Sequence, residues 1–236
     1  MKALMLKLYQ TLCNYRKEGS FGYVQTYPLP TPSMIRGMVH EIMEFTEYKP
    51  LKISIQGKSD AVITNIQKVF KFDRDSNSRP DNPYKITVGK ATKTATHGIL
   101  FIDLHVNMQL IIHISFREDN EKMLNELYKK IQEKIVVLGR NEDFALVEDL
   151  KIVGLNNYSG RSANTQFPMY VMENSLIEKC GTRYRLPFYY DTVESFEENR
   201  VFHFVEPYYV GKDVPLKKDS ILQDEENNIV CLLEVD

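Results

Sequence analysis

A chain of 236 residues with 43% apolar content can bury a full core, which excludes disorder of the whole and suits one domain carrying a substantial appendage. No run reaches the roughly 18 consecutive apolar residues of a membrane span, and the opening MKALMLKLYQTL alternates instead of forming a signal-peptide block, so a cytoplasmic chain without membrane partners is expected. The net charge of −2 hides an asymmetry: residues 1 to 93 carry 15 Lys/Arg against 8 Asp/Glu, and residues 94 to 236 carry 15 against 24. A basic first part is what a phosphate-binding face needs, because neutralising phosphates releases counterions, although solvated charges also scatter in this way.

Residues 3 to 12 alternate Leu4, Leu6 and Leu8 with Met5, Lys7 and Tyr9, the period of a strand packed on one side. The following NYRKEGSFGYVQTYPLPTP is loop by its turn residues and is long for a connection. A helix then opens with Thr31 as cap and Pro32 in the first turn, followed by an apolar stripe of Met34, Ile35, Met38, Val39, Ile42 and Met43. LKISIQG (51 to 57) reads as a strand. After an apolar stretch from Ala61 to Phe72, a polar segment with five basic residues between Arg74 and Lys93 reads as an inserted arm, about residues 73 to 97. GILFIDLHV and MQLIIHISF read as two strands joined near Asn107. A helix from about Asp119 to Val137, capped by Gly139, and a last strand FALVEDLKIV complete the core. This order is the split βαβ pattern of a ferredoxin-like (RRM-type) α+β domain over residues 1 to 154, followed by an irregular β-rich appendage over 155 to 236.

Two segments carry a family resemblance. YPLPTPSMIRGMVHEIM (Tyr27 to Met43) sets Pro28, Pro30, Pro32, Ser33 and Gly37 around the first helix start. LGRNEDFALVEDL (Leu138 to Leu150) forms a Leu-Gly-Arg turn before the last core strand. Together with the arm they resemble CRISPR-associated protein family five, a RAMP-superfamily subunit of the type I Cascade complex, over at least residues 1 to 153. The resemblance implies a non-catalytic subunit in antiviral defence, of the type I-B branch. Such a subunit binds the 5′ handle of the guide RNA and caps the filament of backbone subunits beside the large subunit, meeting target DNA only indirectly. The arm would be the thumb-like hairpin that reaches over the guide to the neighbouring backbone subunit.

Several residues suit that role. A helix N-terminus offers free N–H groups, so Ser33 can receive a phosphate, with Arg36 one turn in; the same residues are also ordinary helix-start chemistry. Gly37 costs a helix about 1 kcal/mol relative to Ala, so close approach by RNA or by the sheet must compensate. Tyr15, Arg16, Lys17, Phe21 and Tyr23 interleave cations and aromatics, the combination that stacks bases while neutralising phosphates, and also one that packs down as a satellite cluster. Lys85, Lys90 and Lys93 would track the RNA backbone, with His97 at the base of the arm also placed against the RNA. The RNA role of Arg140, just past a helix end, rests on the resemblance.

Two other classes remain open. Type I-C members of the family cut repeat RNA without metal, using a Tyr, Lys and His cluster, and acid–base work near neutral pH suits His. His40, His105 and His113 sit on regular elements and read as structural, which leaves His97, beside Lys93, as the candidate. No Lys-His pair stands at the matching strand. The alternative is a protein-interaction scaffold, favoured by residues 186 to 236, where 12 acidic residues face 4 basic ones. Cys13, Cys180 and Cys231 are odd in number and lack neighbours at ligand spacing. No phosphate loop or nucleophile elbow is present, so the sequence supports no metal and no cofactor.

Overall fold

The computed structural model describes residues 1–20, 22–75, 84–160, 163–192 and 200–235. The first half is built from β1 (Lys2–Cys13), β2 (Tyr23–Val24), α1 (Pro32–Met43), β3 (Leu51–Lys58), β4 (Ala61–Asp75), β5 (Lys85–Val88) and β6 (Ala91–Phe116). Then follow α2 (Asn120–Glu133), β7 (Val136–Val137) and β8 (Phe144–Gly154). The central sheet runs β3-β6-β1-β8, every neighbour antiparallel, with α1 between β1 and β3 and α2 between β6 and β8. Leu4, Leu6 and Leu8 stand on the same face as Ile53, Ile55, Leu110, Ile112 and Ile114. Against that face pack Ile35, Val39 and Ile42 of α1 and Leu124, Leu127 and Ile131 of α2.

Strand β6 is one element of 26 residues, where two strands joined near Asn107 were expected. Asn107 takes a left-handed φ of 51°, yet the pairing with β1 keeps its register across it, Gln10 opposite Met108 and Leu12 opposite Val106. Its Nδ2 donates to Asp60 Oδ2 at 2.9 Å. On the other edge β3 and β4 share one register against β6, Lys58 opposite Gln109 and Ala61 opposite Val106. The arm is therefore the outward continuation of the core hairpin, and its pairing begins at Ala61, ahead of the polar stretch that marked it in the sequence.

Helix α2 ends at Glu133, earlier than expected, because Val136 and Val137 pair with Ala145 and Phe144 of β8. Gly139 is not a helix cap. It lies at φ 113°, and a Cβ there would stand 2.7 Å from both Asn14 O and Asp143 Oδ2, so the turn requires glycine.

The face of the sheet opposite the helices is closed by residues 221 to 235. Three buried polar side chains of the sheet meet this segment: Ser54 Oγ accepts from Cys231 N (3.2 Å), Gln56 Nε2 donates to Ile229 O (3.0 Å), and His113 Nε2 lies 3.0 Å from Asp224 Oδ2. Val230 is fully buried with Ala3, Met5 and Val153 on this face, contributing about 1.5–3 kcal/mol, and Leu233 exchanges backbone bonds with Ile53 at the sheet edge and is buried in the helix-side core. That face of the sheet is thus occupied by the chain itself. Asp224→Ala leaves the buried His113 ring without its partner, since Nδ1 has none. A loss of about 1–3 kcal/mol, read as a lower urea midpoint, is expected; an unchanged midpoint would contradict this docking.

Candidate nucleic-acid interface

Helix α1 starts as its sequence dictates: Thr31 is the N-cap, its Oγ1 accepting from Met34 N at 3.3 Å, and Pro32 opens the first turn. Gly37 is exposed, and a Cβ there would meet no atom within 4 Å, so packing against the sheet does not explain it. It faces a cleft of ≈ 920 Å³, also lined by Ser33, Arg36, Tyr48, Tyr189 and Tyr190.

The far wall of this cleft is the hairpin Leu186–Thr192 with Arg200–Val205. Tyr48 stacks on Tyr189 (centroids 4.5 Å, 28°), and Tyr189 stacks on His203 (4.1 Å, 9°). The Arg36 guanidinium lies 4.9 Å from the Tyr48 ring centre and 5.5 Å from that of Tyr189. At 8% exposure Arg36 is roofed by these rings rather than held out as an open clamp. Burial lowers its pKa, while neighbouring tyrosines and Asp191 oppose the shift, and guanidinium stays charged in any case. His203 Nε2 pairs with Asp191 Oδ2 at 2.7 Å. The cleft combines a cation, stacking surfaces and the His40 imidazole, and His203 stands behind Tyr189 in the stack. Tyr189 and His203 escaped the sequence reading because their runs, YRLPFYY and RVFHFVEPYYV, meet α1 only through long-range pairing.

The remaining expected residues divide among other places. Tyr15 is a correction: it is fully buried, donates to Gln10 Oε1 (2.7 Å) and lies 5.6 Å from the His105 ring, so it serves the core and offers no base platform. Arg16 is exposed and donates to Ser20 O (3.0 Å). The Lys17 ammonium sits 5.7 Å from the Tyr27 ring centre and 5.9 Å from that of Tyr184. Phe21 lies outside the described residues. Lys85 and Lys90 are exposed on the arm, with Lys93 half-buried. His97 packs edge-on against Phe70 (4.8 Å) and Tyr84 (4.7 Å), on a different element from the α1 cleft. Arg140 is engaged internally: Nε and Nη2 reach Asp143 at 3.1 and 2.6 Å, and Nη1 lies 2.9 Å from Glu142 Oε1 at an angle too poor for a hydrogen bond.

Two measurements test the α1 side. Gly37→Ala meets nothing in its way and removes glycine from a helix, so it stabilises the chain by about 1 kcal/mol in thermal or urea unfolding. His40 borders the same cleft; burial first, then the Arg36 charge, brings its pKa down to about 4. The folded state thus takes up fewer protons than the unfolded one between the ordinary 6.5 and about 4, and stability falls as pH drops through that window. In His40→Phe the urea midpoint loses part of that slope; an identical slope would show that other groups produce it.

Among the described residues the fold is dominated by strands, with two α-helices, an α+β architecture. A family model described as CRISPR-associated protein (Cas_Cas5) matches residues 3–199, and the chain belongs to that family. In fold it is similar to a chain of a "CRISPR RNA-guided surveillance complex" (TM-score 0.55, 14% identity, 90% of this chain and 91% of that one). It is also similar to a chain of a type III-B Cmr-beta complex bound to cognate target RNA and AMPPnP (TM-score 0.50, 12% identity, 99% of each). At these identities the likeness is one of fold. A search of curated proteins finds no significant match. Among the described residues no helix is long and apolar enough to cross a membrane.

Proposed function

We propose that this chain is a non-catalytic subunit of a type I-B CRISPR surveillance (Cascade) complex. In this reading its ferredoxin-like core holds the 5′ handle of the guide RNA and its arm bridges to the neighbouring backbone subunit, with the large subunit alongside and target DNA met only indirectly. The β-α-β-β-α-β order and the strand order β3-β6-β1-β8 support the core assignment. The observation that carries the RNA reading is the combination of a closed sheet face with a long basic arm. Residues 61 to 106 hold seven Lys/Arg against four Asp/Glu, and the arm's root lies beside the loop that bears Arg16 and Lys17. A strand of RNA passing there meets phosphate neutralisation and aromatic rings at once.

A second reading, a metal-independent repeat endoribonuclease, is favoured by one observation: the α1 cleft brings Arg36 beside Tyr48 and Tyr189, with His203 stacked on Tyr189, a cation for the phosphate next to groups able to move protons. End-labelled repeat RNA incubated with the chain in EDTA, on native and denaturing gels, separates the readings. Retention of intact repeat over a scrambled control supports the handle-binder. Site-specific cutting that His203→Ala abolishes supports the nuclease, and no preference for repeat RNA leaves a protein scaffold. For the handle-binder, Lys17→Ala, Lys90→Ala and Lys93→Ala each flatten the dependence of log affinity on log salt by about 0.7. A slope that stays the same in all three removes these lysines from the RNA path.

A further inference from the structure

A smaller cleft of ≈ 360 Å³ opens at the root of the arm, lined by Lys58, Ser59, Asp103, His105, Tyr184 and Tyr209 among others. His105 is 3% exposed, and its Nε2 lies 2.8 Å from the Tyr27 carbonyl oxygen. A carbonyl can only accept, so Nε2 carries the proton and Nδ1 is a bare lone pair. Ser59 Oγ, 2.9 Å from Nδ1, must then donate to it, which leaves the hydroxyl's lone pairs as acceptors for anything in the cleft. Burial lowers the His105 pKa and keeps this neutral tautomer in place, although the Tyr27 carbonyl works against it. Asp103, two residues earlier on β6, is a second acceptor. Its Oδ1 takes hydrogen bonds from Tyr23 (2.6 Å) and Thr64 (2.9 Å), which fix the carboxylate's orientation.

We propose that this cleft is a selective seat for one unstacked guanine of the guide RNA, read by Ser59 and Asp103. The cavity is at the small end of ligand sites and suits a single nucleotide. Tyr184 and Tyr209 supply ring surface and Lys58 a cation for the adjoining phosphate. Guanine alone among the four bases presents two adjacent donors, N1–H and the N2 amino group, on its Watson–Crick edge. Adenine and cytosine offer one amino group beside an acceptor, and uracil offers one imino group between two acceptors, so each would turn a lone pair toward fixed acceptors, at the cost of an unmet contact.

The inference rests on the RNA-holding reading, and the test separates the two. Affinity is measured for repeat RNA from the protein's own locus and for versions in which each guanosine in turn becomes inosine, which lacks only the N2 amino group. One position should lose about ten-fold. Asp103→Asn and Ser59→Ala should each bind the parent RNA about ten-fold more weakly, and the one that removes the partner of the N2 amino group should no longer distinguish guanosine from inosine at that position. Circular dichroism checks that both variants fold; Asp103→Asn, which keeps the carboxylate's shape, answers the question if Ser59→Ala does not. Tight binding with no inosine-sensitive position, or sensitivity that persists in both folded variants, overturns this inference alone. Absence of any RNA binding removes the RNA-holding reading and this inference with it.

Discussion

Strand β6 pairs with β1 on one side and with β3 and then β4 on the other, and neither partnership changes register where the core gives way to the arm. A backbone ladder tolerates no partial slip, because a shift by one residue moves every side chain to the opposite face. The register that buries Ile112 and Ile114 in the core therefore also dictates which residues of the arm's root stand on which face, as far as the shift between Lys71 and Arg74. Asp103 and His105 are placed at the arm's root by pairing that the core has already determined. The arm's base is consequently stiff, and the cleft between it, the loop after β1 and the appendage has walls anchored in the main sheet.

The second constraint is the docking of residues 221 to 235. Ser54, Gln56 and His113 are polar groups on a buried face, and unpaired they would oppose folding. Their bonds to Cys231, Ile229 and Asp224 make the C-terminal segment the specific complement of that face. Gln56 Oε1 and His113 Nδ1 remain without partners, so the polar fit is incomplete, and Val230, buried with Ala3, Met5 and Val153, adds apolar attraction on the same face.

What could be read from the sequence was what local chemistry determines. Thr31 and Pro32 announce α1 whatever the rest of the chain does, and alternation in residues 3 to 12 announces β1. The errors fall where a distant partner decides. Val136 and Val137 continue a helical stripe but pair with β8. Gly139 looks like a cap but is demanded by Asn14 and Asp143. Asn107 looks like a turn but has its left-handed geometry absorbed within a continuous strand. Tyr15 looks like a loop aromatic but fills the core beside His105. Of the candidate sites, Ser33, Arg36 and Gly37 were found together because one helix face carries them. Tyr48, Tyr189 and His203 come from segments whose meeting no spacing reveals, and the Ser59–His105 pair depends on the register of the arm hairpin.

The charge asymmetry takes on a different meaning in three dimensions. Acidity in the C-terminal part would oppose RNA binding if it spread its field over the whole surface, yet much of it is locally matched. Glu226 meets Lys7 at 2.8 Å and also pairs with Lys151, while Glu234 meets Lys52 at 2.7 Å and Arg117 at 3.1 Å. Exposed pairs of this kind add little stability, about 0–1 kcal/mol each, but they cancel positive charge on the sheet side of the molecule. Beyond the roughly 8 Å over which charges are felt at physiological salt, what a polyanion senses is the remainder. The carboxylates Glu226 and Glu234 act on Lys7, Lys151, Lys52 and Arg117, none of which belongs to the loop after β1 or to the arm, so in the proposed reading their neutralisation falls on the sealed sheet side and not on the cations assigned to RNA.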